Sequence, residues 1–363
     1  MRVFVLAIFA SAIVLALAAC GSSSSGTVRK KDGGAISGAG ATFPQPVYDE
    51  WAKRFKEETG TSVTYDAIGS GGGIAQFTAK TVDFGASDAP MTAGEVRAAE
   101  KKGTPVHVPT VWGAVTVSYN VSGLGPGLRL DGTTVADIFL GRITRWNDPR
   151  IRALNPATKL PNIAIAIVHR SDESGTTKVF TTFLASSSRR WATQVGSDKS
   201  VRWPVGAGAA RNAGVAAGVK ATNGAVGYVE QAYALENGLT SATIKNRAGR
   251  YVAPTLESTI AAGRGLTIPG DLRFSAVGLS TDPGAYPIST ATFLLVYRDM
   301  CKAGVTPDRA QRVVNWLHYA LTAGQLVAPE LQYAPLPDRV LALARSAVAA
   351  EVCDGRPLKA TGA

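Results

Sequence analysis

Strand-like and helical runs alternate along most of this chain, and that alternation restricts it to an α/β architecture. Val47, Trp51 and Phe55 recur at helical spacing after Thr42-Phe43-Pro44, where proline suits a first turn, and Gly60 ends the run. Ser62 to Tyr65 reads as a strand. Ser70-Gly-Gly-Gly73 leads into a short helix carrying Ile74 and Phe77, and Val82 to Ala86 reads as a strand again. Thr92-x-x-Glu95 is a capping box for the next helix. Val111 to Tyr119, Ile163 to Val168 and Tyr286 to Tyr297 supply buried strands, while Thr306-Pro307 and Leu336-Pro337 open two later helices. The pattern predicts mainly parallel sheets.

The ends set the compartment. A basic start at Arg2, an apolar run from Val3 to Leu17 and the small residues before Cys20 make a secretory signal over 1–19, too short for a permanent span. The quartet Leu17-Ala-Ala-Cys20 resembles the bacterial lipobox, with Cys20 as the lipidated residue; the alternative is an ordinary signal cut near Ala19. Residues 20–35, with Gly21-Ser-Ser-Ser-Ser-Gly26, read as a flexible tether. With Cys20 lipidated, Cys301 and Cys353 remain as an even pair in an oxidising compartment, either as a disulfide or as two buried thiols. The chain is 45% hydrophobic and 18% charged, which suits a substantial core, and its formal charge is +11. The basic residues are scattered without interleaved aromatics, which argues against nucleic acid. His107, His169 and His318 are far apart and no cysteine has metal-ligand spacing, so neither a metal nor a cofactor is expected.

Three junctions share one chemistry: Gly38-Ala-Gly-Ala-Thr42-Phe43-Pro44, Ile68-Gly-Ser70-Gly-Gly-Gly73, and Arg170 to Thr177. Each sets a hydroxyl at an expected N-cap beside glycines that let backbone N–H groups approach a ligand. A helix N-terminus offers free donors and partial positive charge, which suits a small oxyanion. One such turn is ordinary capping; three of them, with Arg170, point to an anion site. Asp88, in Phe84-Gly-Ala-Ser-Asp88-Ala-Pro90, is an acid in a loop after a strand, where a simple anion trap would avoid one. Its presence makes sense if the anion carries a proton. Monohydrogen phosphate can donate O–H to Asp88, whereas sulfate cannot, and a site built around a missing donor discriminates by roughly 10⁴–10⁵.

The runs "GAGATFPQPVYDEW", "IGSGGG", "TVDFGASDAP", "LDGTTVADIFLGRITRWND", "RSDESGTTKVFTTFL", "GAVGYVEQAYA" and "YPISTATFLLVYRD" resemble the phosphate-binding protein of the bacterial phosphate ABC transporter, in order from about residue 36 to about 345. The resemblance implies a two-lobed, type II-like periplasmic binding protein fold: lobe 1 from 36–107 plus 286–355, lobe 2 from 108–285, a two-crossing hinge, and a tail at 356–363. It implies phosphate held by Thr42, Phe43 through its backbone N–H, Ser70, Asp88 as proton acceptor, Arg170, Ser174, Gly175 and Thr176, with Asp172 orienting the arginine. It further implies a monomer, held extracytoplasmically by the N-terminal lipid, that docks on a membrane permease driven by an ATPase. Two positions depart from the family pattern: Gly71 where relatives often have serine, and Glu173 where they often have glycine.

Two other readings compete. Arsenate, another protonated tetrahedral oxyanion, shares phosphate's donor. A phosphate-ester hydrolase is disfavoured, because "GASDA" puts Ala89 where a nucleophile elbow needs glycine, no histidine stands by Ser87, and no nucleotide-phosphate loop is present.

Overall fold

The structure, a computed structural model, describes residues 33–361. The expected signal, Cys20 and nearly all of the tether lie outside the described residues. The main sheet contains β1 (Gly34–Gly40), β2 (Thr61–Asp66), β3 (Phe84–Ser87), β4 (Pro105–Asn120), β5 (Ala166–Arg170), β6 (Ala207–Ala209), β7 (Ala225–Glu230) and β8 (Ser289–Tyr297). Their spatial order is β2-β1-β3-β8-β4-β7-β5-β6, and Thr240–Ser241 pairs with β4 off this path.

The expectation of mainly parallel pairing is corrected here. β1 runs parallel to β2 and β3, and β5 to β6 and β7. Yet β8 is antiparallel to both β3 and β4, and β4 is antiparallel to β7. The cause is connectivity: β8 arrives from far along the chain and inserts between β3 and β4. Both β4 and β8 are buried along nearly their whole length, so they read as continuous apolar runs, the usual mark of a parallel strand. The strand expected from Ile163 also starts later, at Ala166, because Ile163 and Ile165 bond to the backbone of Trp146 and Thr144 instead.

β4 organises the sheet. Its first part, through Ala114, pairs with β8, and from Val115 onward it pairs with β7. The partner changes within this single strand.

Helices cover the sheet. α1 (Gln45–Thr59) buries Val47, Tyr48, Trp51 and Phe55 and ends at Gly60, whose φ of 82° needs a residue without a Cβ. α2 (Ser70–Ala79) and α3 (Ala93–Glu100) follow, the latter with its capping box formed. α4 (Gly175–Ser187) and α5 (Arg211–Ala221) serve the β5–β7 half. α6 (Pro307–Ala320) packs on α1, with the Trp316 ring 5.5 Å from Phe55 and 6.2 Å from Trp51, and α7 (Asp338–Ala349) lies beyond.

Cys301 and Cys353 form a disulfide, closing a loop with a sequence separation of 52. On the chain-entropy estimate this contributes about 4 kcal/mol. Reduction, or a double Cys→Ser substitution, is therefore expected to lower the thermal midpoint by several degrees. Equal midpoints with and without reductant would show that the bridge constrains little.

Candidate anion-binding site

Sequence-distant residues meet at the C-terminal ends of parallel strands, where open α/β sheets place their ligands. Thr42 and Phe43 follow β1, Ser70 opens α2 after β2, Asp88 follows β3, Arg170 ends β5, and Ser174 to Thr176 form the start of α4. All of these residues are buried. They are brought into contact: a Cβ on Gly175 would fall 2.3 Å from Ser70 Oγ and 2.5 Å from Asp88 Oδ2, so only glycine fits there. The Phe43 ring points into the core beside Gly113 and the edge of Tyr333.

The three expected hydroxyl caps are corrected to one. Ser174 caps α4, accepting from Thr177 N–H at 3.1 Å. Thr42 and Ser70 cap nothing: the N-cap positions of α1 and α2 are Pro44 and Gly69, with no side-chain hydrogen bond. Thr42 Oγ1 accepts instead from Asn212 Nδ2 at 2.9 Å, and Ser70 Oγ from Asp88 N–H at 3.3 Å. Both hydroxyls stand beside the helix ends rather than closing them, which leaves helix donors open. Ser174 N–H goes to Lys199 O and Thr177 N–H to the cap, so Gly175 and Thr176 N–H remain the uncapped donors of the first turn of α4.

Arg170 is buried. Its Nε donates to Asp172 Oδ1 at 2.7 Å, its Nη2 bonds Asp172 Oδ2, and its Nη1 donates to Thr176 Oγ1 at 3.4 Å. This fork-to-carboxylate pairing fixes the guanidinium plane. Burial opposes ionisation of Asp172, but the hydrogen bond and charge of Arg170, with Arg211 N–H, outweigh it and hold its pKa below the ordinary value.

Asp88 has the opposite electrostatics. Oδ1 accepts from Thr292 Oγ1 of β8 at 2.9 Å, while Oδ2 is buried with no hydrogen-bond partner. Burial pushes its pKa up to about 7, against the pull of Thr292 and Arg170. An acceptor oxygen out of water without a donor is costly, and it is aimed at the first residue of α4.

Further contacts join the segments around the site. Gly71 N–H donates to Glu173 O at 3.0 Å, and Lys199 Nζ pairs with Glu95 Oε1 at 2.5 Å. Glu173 itself is exposed, with its side chain lying over Gly71. Sequence reasoning missed several supports. Tyr233 OH donates to Thr42 O and Tyr333 OH to Phe43 O, each at 2.7 Å, and Tyr228 OH accepts from Arg170 N–H at 3.1 Å. Tyr228, Tyr233 and Thr292 lie within the quoted runs "GAVGYVEQAYA" and "YPISTATFLLVYRD", which was a signal to be read; Asn212 lies in none of the quoted runs.

Two α/β halves sharing long strands, with anion donors at the strand ends between them, define a two-lobed substrate-binding protein of the periplasmic type. The family model for the PBP superfamily domain matches residues 22–319. The chain belongs to the PstS family of phosphate-binding proteins. It is 41% identical over 309 residues to the "Phosphate-binding protein PstS" of Pasteurella multocida, covering 84% of this chain and 87% of that one. To the PstS of Haemophilus influenzae it is 40% identical over 324 residues, covering 88% and 94%. A solved high-affinity periplasmic phosphate-binding protein (PfluDING), bound with phosphate, matches with a TM-score of 0.68 and 22% identity, covering 86% of this chain and 93% of that one, and shares the fold.

The raised pKa of Asp88 has a definite sign in stability. A carboxyl that binds its proton more tightly folded than unfolded lends stability that is present below about pH 4, is lost as pH rises to about 7, and is constant beyond. Asp88→Asn should therefore stabilise the ligand-free protein relative to wild type at pH 8, by about 4 kcal/mol at most, and much less at pH 4. Thermal melts at the two pH values check this; an equal difference at both would mean that Asp88 keeps an ordinary pKa.

Proposed function

We propose that this protein binds inorganic phosphate outside the cytoplasm and delivers it to the permease of an ABC transporter. The observation that carries the reading is Asp88 Oδ2, a buried acceptor without a donor, standing amid donors that suit an anion. A dehydrated anion with its own hydrogen satisfies both. Arg170, the Ser70, Thr42, Ser174 and Thr176 hydroxyls, and the N–H groups of Phe43, Gly175 and Thr176 meet the phosphate oxygens; Asp88 takes the phosphate hydrogen. The names of the PstS relatives support the same ligand.

Charge alone does not hold the guest. Arg170 is already paired with Asp172, so a dianion gains mainly from charge-assisted hydrogen bonds of about 1.5–3 kcal/mol each and from the N-terminal dipole of α4. Sulfate brings no hydrogen and leaves Asp88 facing a lone pair, whereas arsenate brings the same hydrogen as phosphate. A hydrolytic role finds no support: Ser87 Oγ donates to Ala89 O at 2.6 Å, and His107 Nε2 accepts from Met91 N–H, so neither side chain serves the other as nucleophile or base. The relatives are named as binding proteins, which are transport components rather than enzymes.

The two lobes divide within β4 near Ala114 and Val115 and again before Ser289, with the closing contacts Gly71–Glu173 and Glu95–Lys199 between them. No helix among the described residues is long and apolar enough to cross a membrane. Membrane attachment is assigned to a lipid on Cys20. The protein acts as a monomer, with the permease and its ATPase as partners.

Calorimetry on protein starting after Cys20 tests the ligand. Phosphate and arsenate should bind and sulfate should not; strong sulfate binding would overturn the donor-matching argument. Asp88→Ala should let sulfate compete. Arg170→Ala should weaken phosphate roughly 10- to 150-fold, the loss of one charge-assisted bond; near-unchanged affinity would show that neutral donors suffice.

A further inference from the structure

A threonine hydroxyl is ambivalent, with one hydrogen to give and two lone pairs to fill. An anion site needs that hydrogen to point at the guest. Something must therefore fill the lone pairs from the other side.

Asn212 fills one lone pair on each of two hydroxyls at once. It is fully buried near the start of α5. Its Nδ2 donates to Thr42 Oγ1 at 2.9 Å and to Thr176 Oγ1 at 3.2 Å, using both amide hydrogens. Its orientation is not arbitrary. The other amide atom accepts from Glu230 N–H at 3.0 Å, and a backbone N–H can only donate, so that atom is Oδ1 and Nδ2 faces the threonines. Thr176 Oγ1 also receives Arg170 Nη1 at 3.4 Å. With both lone pairs occupied, the Thr176 hydroxyl has only its hydrogen left to offer.

We propose that Asn212 is a positioning residue of the anion site, which fixes the polarity of Thr42 and Thr176 so that both hydroxyls act as dedicated donors to the bound oxyanion. This deepens the phosphate reading and rests on it. The bridge also spans the two lobes, since Thr42 follows β1 and Thr176 lies in α4, so the donor set is complete only when those segments meet. Asn212 need not touch the anion. It acts through the threonines, and in their absence it has nothing to orient.

That dependence gives the test. Phosphate binding is measured by calorimetry for wild type, Asn212→Ala, Thr42→Val, Thr176→Val, the double Thr→Val protein, and that double variant carrying Asn212→Ala. Asn212→Ala should weaken phosphate roughly 10- to 100-fold, as expected for two misdirected donors. In the double Thr→Val background the same substitution should cost less than about threefold, because coupled residues do not add. An equal loss in both backgrounds would make Asn212 a general support of the fold and overturn the proposal. Asn212→Asp, which keeps the acceptor for Glu230 N–H but replaces both donors, guards against misfolding. It should bind phosphate more weakly than Asn212→Ala, and wild-type affinity in it would overturn the proposal. If Thr42→Val, Thr176→Val and Arg170→Ala all bind phosphate normally, the site assignment itself fails, and the proposal with it. Normal binding by Asn212→Ala alone, with the threonine variants weakened, removes only the role of Asn212.

Discussion

Asp88 Oδ2 lies against the first residue of α4 without a protein donor, and the surrounding structure is arranged around that one unsatisfied acceptor. A carboxylate in this position works against the stability of the fold, which is why its pKa rises to about 7. Buried acceptors are almost always paired, so an orphan among donors is the feature on which the proposed binding site rests. The close approach of α4 depends on the same spot. Gly175 has no Cβ, and that gap lets Ser70 and Asp88 of one half of the molecule reach the helix end of the other.

The electrostatics follow from this arrangement. A site with two acids and one arginine carries no net positive charge when both acids are ionised, so it cannot hold a dianion as a counter-ion would. On the proposed reading it holds the anion by direction. The Arg170 fork is set by Asp172, the Gly175 and Thr176 N–H groups of α4 are left uncapped, and the Thr42 and Thr176 hydroxyls accept from Asn212. Aimed dipoles out of water need no reorganisation when the guest arrives, and they reject one of the wrong hydrogen pattern. The formal charge of +11 on the whole chain belongs to another level, that of long-range attraction of anions toward the surface.

The motif-bearing turns were legible because each concentrates glycine and hydroxyl residues in a few consecutive positions, and consecutive positions are what a sequence displays. Their local mechanism was not legible. Thr42 and Ser70 read as N-caps by residue type, but their lone pairs are taken by Asn212 and Asp88 N–H, groups that approach only through tertiary folding. The strand–helix alternation showed the α/β class, yet it could not show that β8 inserts antiparallel between β3 and β4, because a strand buried on both faces looks the same in either direction. Tyr333 reaches the Phe43 carbonyl from far along the chain as a single residue in a buried segment outside the motif runs, and nothing local distinguishes it from ordinary core.

Gly71 and Glu173 are packed directly against each other. A Cβ at position 71 would fall 1.9 Å from Glu173 Oε2 and 2.4 Å from its Cβ, so any side chain there would collide with the glutamate as placed. The absence of a hydroxyl at 71 is thus what lets Glu173 lie across the approach between the halves. The backbone contact from Gly71 N–H to Glu173 O needs neither side chain and holds the segments together at 3.0 Å. Because Glu173 is exposed, its charge is screened by solvent from the buried groups beside it. A serine placed at 71 would displace the glutamate from its position against Gly71.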